Sequence, residues 1–318
     1  MKVTLLGCGR WGSFLAWYLH KIGHEMTVWG PAGDPAFEVL ARNRRNDLIS
    51  FEQDVKITDD LSLAVNTAQI VVISISSQAL RGFAKRLAAF DWSGKAIVLC
   101  MKGLEEETGC RLTQIINREL PGVPVAVWVG PGHVQEFTQG HPSCMVIDSL
   151  DDELKVRLVS EFSSKLIRFY YGTDLIGTEV GAATKNVVGI AAGMLDGAQL
   201  TSLKGALMAR GTREIAMLIK AMGGNEMSAY GLAHLGDYEA TVFSPHSHNR
   251  RFGEMFVRGE KFDKLAEGVS TAVALQHLGK FYGVEMPICR TVCEVLFEGK
   301  KPKDALDELF GRAIKDEF

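Results

Sequence analysis

The sequence predicts an α/β protein, with a doubly wound, mainly parallel sheet in its amino-terminal part and an all-helical domain after it. Three observations predict this. Apolar runs alternate with amphipathic stretches through the first half, as successive βαβ units do. Near residues 170–177 the composition turns rich in Ala, Gly, Met and Leu, and beyond that point the apolar spacing is helical. The chain has 318 residues, more than one typical core uses. The boundary is expected at 172/173, giving a sheet domain over 1–172 and a helical domain over 173–318.

The elements follow in order. KVTLLG reads as a strand, and SFLAWYLHKIG as a helix closed by Gly23. MTVWG is a second strand. QIVVISIS is a third and almost uniformly apolar or small, as strands covered on both faces tend to be. KAIVLCMKG, VPVAVWVGPG and PSCMVIDS continue the sheet, with helical patterns between most of them. Downstream, TEVGAATKNVVGIAAGMLDGAQL and KGALMARGTREIAMLIKAMGG have helical periodicity. The Ala and Gly of the first of these let it lie close to a neighbouring element.

Bulk properties exclude several classes. A net charge of −3 gives no general attraction to nucleic acid or to an anionic membrane surface, so a phosphorylated ligand needs a local basic site. No apolar run reaches the roughly 20 residues of a membrane span. The opening MKVTLLGCGRWG places a Lys before an apolar stretch, but that stretch is short. It runs into a glycine-rich turn rather than a cleavage site. The six cysteines are scattered without metal-ligand spacing, and Cys289 with Cys293 marks one helix face. The cytoplasm is the expected compartment. A homodimer is compatible with the sequence.

Gly7-Cys8-Gly9-Arg10-Trp11-Gly12 matches G-x-G-x-x-G, with a strand entering and a helix leaving it. That context predicts a Rossmann-type dinucleotide site. Gly7 permits the tight turn, Gly9 the approach of a pyrophosphate, and Gly12 close helix–strand packing. The helix N-terminus offers free N–H groups and a positive dipole end to the phosphates. The second strand ends Val28-Trp29-Gly30-Pro31, with no acid to bind ribose hydroxyls. Nothing there repels a 2′-phosphate, so the choice between NAD and NADP stays open, with NADP favoured. Arg42, Arg44 and Arg45 either assist or belong to a solvated helix face.

The chain resembles the NAD(P)-dependent glycerol-3-phosphate dehydrogenase family along nearly its whole length. An ordered series carries the resemblance: the Gly7–Gly12 turn, Met101-Lys102-Gly103-Leu104-Glu105, Gly130-Pro131 with Glu136, and Thr184-Lys185-Asn186-Val187. It continues through Asp196-Gly197, Ala209-Arg210-Gly211, and Leu235-Gly236-Asp237 with Thr241. Ser247-His248-Asn249 with Gly253, Glu267-Gly268, and Val284-Glu285-Met286-Pro287-Ile288 complete it. The resemblance implies an active site between a Rossmann domain and a helical domain. It also implies reversible hydride transfer between a nicotinamide and C2 of dihydroxyacetone phosphate, whose product, sn-glycerol 3-phosphate, feeds phospholipid synthesis.

Ketone reduction needs a hydride donor and a proton donor beside the developing alkoxide. A lysine with a pKa lowered by burial or a neighbouring cation can supply the proton. Lys185 lies in an apolar, Ala/Gly-rich helix pattern; either it is buried for this purpose or it snorkels to the surface. The resemblance makes it the general acid/base. Lys102 follows the strand AIVLCM at the sheet edge where ligands of open α/β sheets bind. By resemblance it contacts substrate and steadies the carbonyl oxygen, while Asn186 and Asp237 orient substrate and Lys185. The implied substrate set is Lys102, Gly130, Gly132, Lys185, Asp237, Thr241, Ser247, His248 and Asn249. The implied cofactor set is Gly7, Gly9, Arg10, Trp11, Gly12, Pro31, Lys102, Val134, His248, Leu265 and Glu267, with Glu267 read as following a helical stretch. Arg210 reads first as an ordinary helix cation.

Departures limit the resemblance. The family's Ser-Arg-Asn is Ser247-His248-Asn249 here, and a histidine has fewer donors and less charge than an arginine for gripping phosphate. Arg250 or Arg251 are candidate replacements. Gly132 stands for a Ser or Thr, Ser76 for a Pro, and 42–58 lacks the usual Leu-Pro signature. Two rival readings follow: a dehydrogenase of another small hydroxy compound, or a dinucleotide-binding sensor without turnover.

Overall fold

The computed structural model describes residues 1–314, 316 and 317. They form two compact units: Met1–Lys102 with Cys110–Glu179, and Gly103–Gly109 with Val180 onward.

The first unit holds an eight-stranded sheet of β1 (Lys2–Leu6), β2 (Glu25–Trp29), β3 (Lys56–Thr58), β4 (Ile70–Ile73), β5 (Ala96–Leu99), β6 (Val125–Val129), β7 (Ser143–Ser149) and β8 (Ile167–Tyr171). Their order is β3-β2-β1-β4-β5-β6-β7-β8. Every pairing is parallel except β6 with β7. The helices of this unit are α1 (Arg10–Lys21), α2 (Pro35–Asn43), α3 (Leu61–Asn66), α4 (Leu80–Leu87), α5 (Leu112–Glu119), α6 (Val134–Thr138) and α7 (Asp152–Phe162).

Period-two alternation within apolar strands explains the layering. In β4, Ile70 and Val72 join one core with Phe14, Tyr18 and Trp128, whereas Val71 and Ile73 join the other with Leu80, Ile97 and Ile116. The sheet is therefore covered on both faces. Asp34 and Asp60 accept backbone N–H bonds from the first turns of α2 and α3, which fixes where those helices begin. The strand order reverses between β1 and β4. The loops leaving those two strands form the switch point where open α/β sheets bind ligands.

The second unit is helical, with no strand among its described residues. It comprises most of α8 (Leu175–Gly197), followed by α9 (Lys204–Ala221), α10 (His248–Val257), α11 (Gly268–Tyr282), α12 (Pro287–Phe297) and α13 (Pro302–Phe310). Small residues bring three of these helices into backbone contact. A Cβ on Gly193 of α8 would lie 1.9 Å from the Arg250 carbonyl, and one on Gly253 of α10 would lie 2.1 Å from the Ile190 carbonyl. The start of α11 is equally close, since a Cβ on Gly268 would meet the Asn186 carbonyl at 2.7 Å. The Ala/Gly pattern of α8 is thus a packing requirement. Among the described residues, no helix is long and apolar enough to cross a membrane.

Candidate active site

In the first unit the chain leaves β1 and turns sharply at Gly7, whose φ of +110° favours glycine. A Cβ there would strike the Ser74 carbonyl at 2.2 Å, so the turn lies against the loop that follows β4. Gly12 packs on the turn itself, since a Cβ would be 2.0 Å from the Gly7 carbonyl. Gly9 differs: nothing lies within 4 Å of its would-be Cβ, and it caps α1 without a side-chain bond. The first N–H groups of α1 have no intrahelical acceptors. The Trp11 indole N–H is buried without a partner, its ring packed 5.2 Å from Phe14 and 6.4 Å from Phe137. Open space over Gly9, unclaimed helix donors and an orphaned indole N–H fit a dinucleotide pyrophosphate.

Other expected cofactor and substrate positions surround the sheet edge. Arg10 is exposed at the first position of α1, Pro31 is exposed after β2, and Val134 is buried at the start of α6. Arg44 is committed elsewhere, with Nη2 donating to the Glu52 and Val55 carbonyls at 2.5 and 2.6 Å. Arg42 and Arg45 are exposed. Lys102 follows β5 and donates to the Gly130 carbonyl at 2.7 Å. Gly130 and Gly132 follow β6 with φ of +138° and +155°. A Cβ on Gly132 would strike the Phe137 ring at 2.2 Å, so the local packing admits no side chain there.

The second unit gathers the remaining groups. Lys185 is buried on α8, where its ammonium pairs with the Asp237 carboxylate and donates to Thr241 Oγ1 at 2.9 Å. Asp237 closes a short 3-10 turn, Leu235–Asp237, and Thr241 lies in a π-helical turn, Glu239–Phe243. The Thr241 hydroxyl donates to the Asp237 carbonyl at 2.7 Å, tying the two turns together. π-Helical turns are rare and often mark functional sites. Asn186 is buried one residue beyond Lys185.

Ser247 caps α10 by accepting the Arg250 N–H at 3.3 Å, which leaves His248 and Asn249 on the first turn. The His248 ring sits edge-on to Phe262, and the Asn249 Oδ1 accepts the Gly268 N–H at 2.9 Å. Arg250 points into a half-buried network, with Nε 2.8 Å from Asp196 and Nη2 3.4 Å from Glu254. Of the two candidate replacements for the missing arginine, Arg250 is therefore already engaged, and Arg251 is exposed. Glu267 is the N-cap residue of α11, and nine residues separate it from the end of α10. Leu265, just before it, is 61% exposed. Arg210 on α9 donates to the Glu317 carbonyl at 3.0 Å.

Two buried polar groups beside the Lys185–Asp237 pair escaped the sequence reading. Burial lowers the His234 pKa to about 4, with nearby Lys185 adding to the effect while the Gly181 hydrogen bond and Asp237 oppose it. Burial likewise raises that of Tyr238. Their i, i+4 spacing around Asp237 was the available signal, and it does not distinguish a polar contact from an ordinary helix face.

Models of the amino- and carboxy-terminal parts of NAD-dependent glycerol-3-phosphate dehydrogenase match residues 2–155 and 174–307. The chain belongs to the NAD-dependent glycerol-3-phosphate dehydrogenase family. A glycerol-3-phosphate dehydrogenase [NAD(P)+] of Fusobacterium nucleatum is 38% identical, covering 100% of this chain and 99% of that one. Its counterpart in Prosthecochloris aestuarii is 36% identical, covering 100% of both. The crystal structure of a glycerol-3-phosphate dehydrogenase from Coxiella burnetii is 28% identical and superposes with a TM-score of 0.90 over 98% of this chain and 99% of that one. The family match thus spans both units, the glycine turn in one and the buried lysine in the other.

Proposed function

We propose that this protein catalyses the reversible NAD(P)H-dependent reduction of dihydroxyacetone phosphate to sn-glycerol 3-phosphate, supplying glycerophospholipid synthesis from the cytoplasm. The observation that carries the reading is the buried Lys185 ammonium held by Asp237 and Thr241 in a member of this family. When bound, the reduced nicotinamide supplies the hydride that C2 accepts.

Lys185 gives its proton to the oxygen on C2 as charge develops there, and is reprotonated from solvent. Asp237 and Thr241 hold the ammonium in place, and Lys102 stabilises charge on the same oxygen. Asn186 orients the substrate hydroxyl. The first turn of α10, with Ser247, His248 and Asn249, takes the phosphate through its backbone N–H groups and the His248 ring. Gly130 and Gly132, whose Cβ positions Met145 and Phe137 already fill, present bare backbone to the substrate. Gly7, Gly9, Arg10, Trp11, Gly12, Pro31 and Val134 cradle the dinucleotide from the first unit, and Leu265 and Glu267 contact the nicotinamide side. The lack of an acid after β2 and the exposed Arg42 and Arg45 favour NADP over NAD.

The test uses purified protein with NADH or NADPH and dihydroxyacetone phosphate, followed at the nicotinamide absorbance. Oxidation with that ketone is expected. Oxidation only with other small ketones would make the protein a related dehydrogenase, and tight cofactor binding without turnover would make it a sensor.

A further inference from the structure

His234 and Tyr238 flank Asp237 and have no part in the chemistry above. The His234 ring is wholly buried and spans two elements. Its Nδ1 lies 2.8 Å from the Gly181 carbonyl, which can only accept, so Nδ1 carries the proton and donates. In the neutral ring Nε2 is then an acceptor, and the Tyr238 hydroxyl, 2.8 Å away, donates to it. The low pKa that burial imposes on the imidazole agrees with this neutral form.

The anchors sit where they bear on Lys185. Gly181 lies one helical turn before Lys185 on α8, and Thr184, whose hydroxyl is 3.4 Å from His234 Nδ1, is its immediate neighbour. On the other side, the His234 carbonyl accepts the Asp237 N–H at 3.0 Å, and Tyr238 follows Asp237 directly. The Tyr238 ring is packed in a small core with Val188, Ala192 and Val242, which fixes where its hydroxyl points. Lys185 and Asp237 are the charged groups near the imidazole; Glu214 and Cys289 are the titratable groups near the phenol.

We propose that His234 and Tyr238 are a positioning pair that locks the segment carrying Asp237 to the turn of α8 carrying Lys185. The inference rests on the proposed reaction for its catalytic consequence, and on the hydrogen bonds alone for its structural one. Without the clamp, Asp237 loses its fixed place opposite the ammonium, and Lys185 loses the partner that holds it.

Tyr238→Phe removes only the hydroxyl. His234→Asn is a second variant, able to keep a donor toward Gly181 but too short to reach Tyr238. Protein labelled with 13C at the lysine ε carbon reports the protonation of Lys185 without substrate, the signal being assigned with Lys185→Arg. The titration midpoint of Lys185 is expected to move in either variant. The kcat with dihydroxyacetone phosphate should fall about tenfold while the KM for NAD(P)H stays within about twofold. A Lys185 midpoint and kcat equal to wild type in a folded variant, whatever its melting temperature, would overturn the clamp. Lack of wild-type turnover would count against the reaction instead, because the lysine titration is read independently of it.

Discussion

Lys185 and Asp237 form an ion pair whose side chains are 7% and 0% exposed. Removing one charge from such a buried pair strands the other in a poorly solvated site, a loss of about 3–5 kcal/mol. Asp237→Asn is therefore expected to lower the unfolding free energy by about that amount and to reduce kcat. Urea unfolding and steady-state rates check this. Unchanged stability would mean that Lys185 is neutral in the resting protein.

The glycine turn separates binding from folding. Gly9 has φ −62° and ψ −179°, which any residue adopts, and faces open space. Gly9→Ala should change stability by less than about 0.5 kcal/mol while weakening cofactor binding at least about tenfold. Gly12→Ala must displace the Gly7 carbonyl and should cost more than about 2 kcal/mol before any ligand is added. Thermal unfolding and cofactor titration of both variants distinguish the two roles.

Much of this architecture was legible in the sequence because its signals are local. The strand before Gly7, the glycine spacing and the periodicity of α8 and α9 all depend on near neighbours. β3 and β8 were not foreseen: the first has three residues, and the second has a half-exposed pattern. The antiparallel pairing of β7 is equally silent, since strand patterning does not encode direction. The π-helical turn carrying Thr241 and the grouping of residues 103–109 with the helical unit depend on distant packing, such as Gly109 against Leu278. Of the site, the lysines and Asp237 were visible through their motifs. His234 and Tyr238 were not, because their role lies in tertiary hydrogen bonds rather than in spacing.

Burial of His234 makes stability sensitive to acid. Its folded pKa of about 4 lies below the ordinary 6.5. Above the ordinary value the ring is neutral in both states and costs nothing. As pH falls between the two values, the unfolded chain takes a proton that the folded one refuses, so stability declines. The loss should reach about 2 kcal/mol from about pH 7 to about pH 5. The pKa values of buried Glu179 and Glu214 are raised by burial and act in the opposite direction. The difference between wild type and His234→Asn in urea unfolding across that range isolates the histidine.

In the proposed site, the phosphate grip is the weakest part. Arg250 is held by Asp196 and Glu254, and His248 stands at the first position of α10. His248→Arg should lower the KM for dihydroxyacetone phosphate about tenfold by supplying a permanent, forked cation. Steady-state kinetics at saturating NAD(P)H measure it. An unchanged KM would mean that another cation holds the phosphate.

The most direct test of the account is the turnover of Lys185→Met at saturating NAD(P)H and dihydroxyacetone phosphate, with cofactor affinity measured alongside. Loss of the proton donor predicts a fall in kcat of about 10²- to 10⁴-fold, with cofactor affinity within about twofold of wild type. A wild-type kcat in that variant would contradict it.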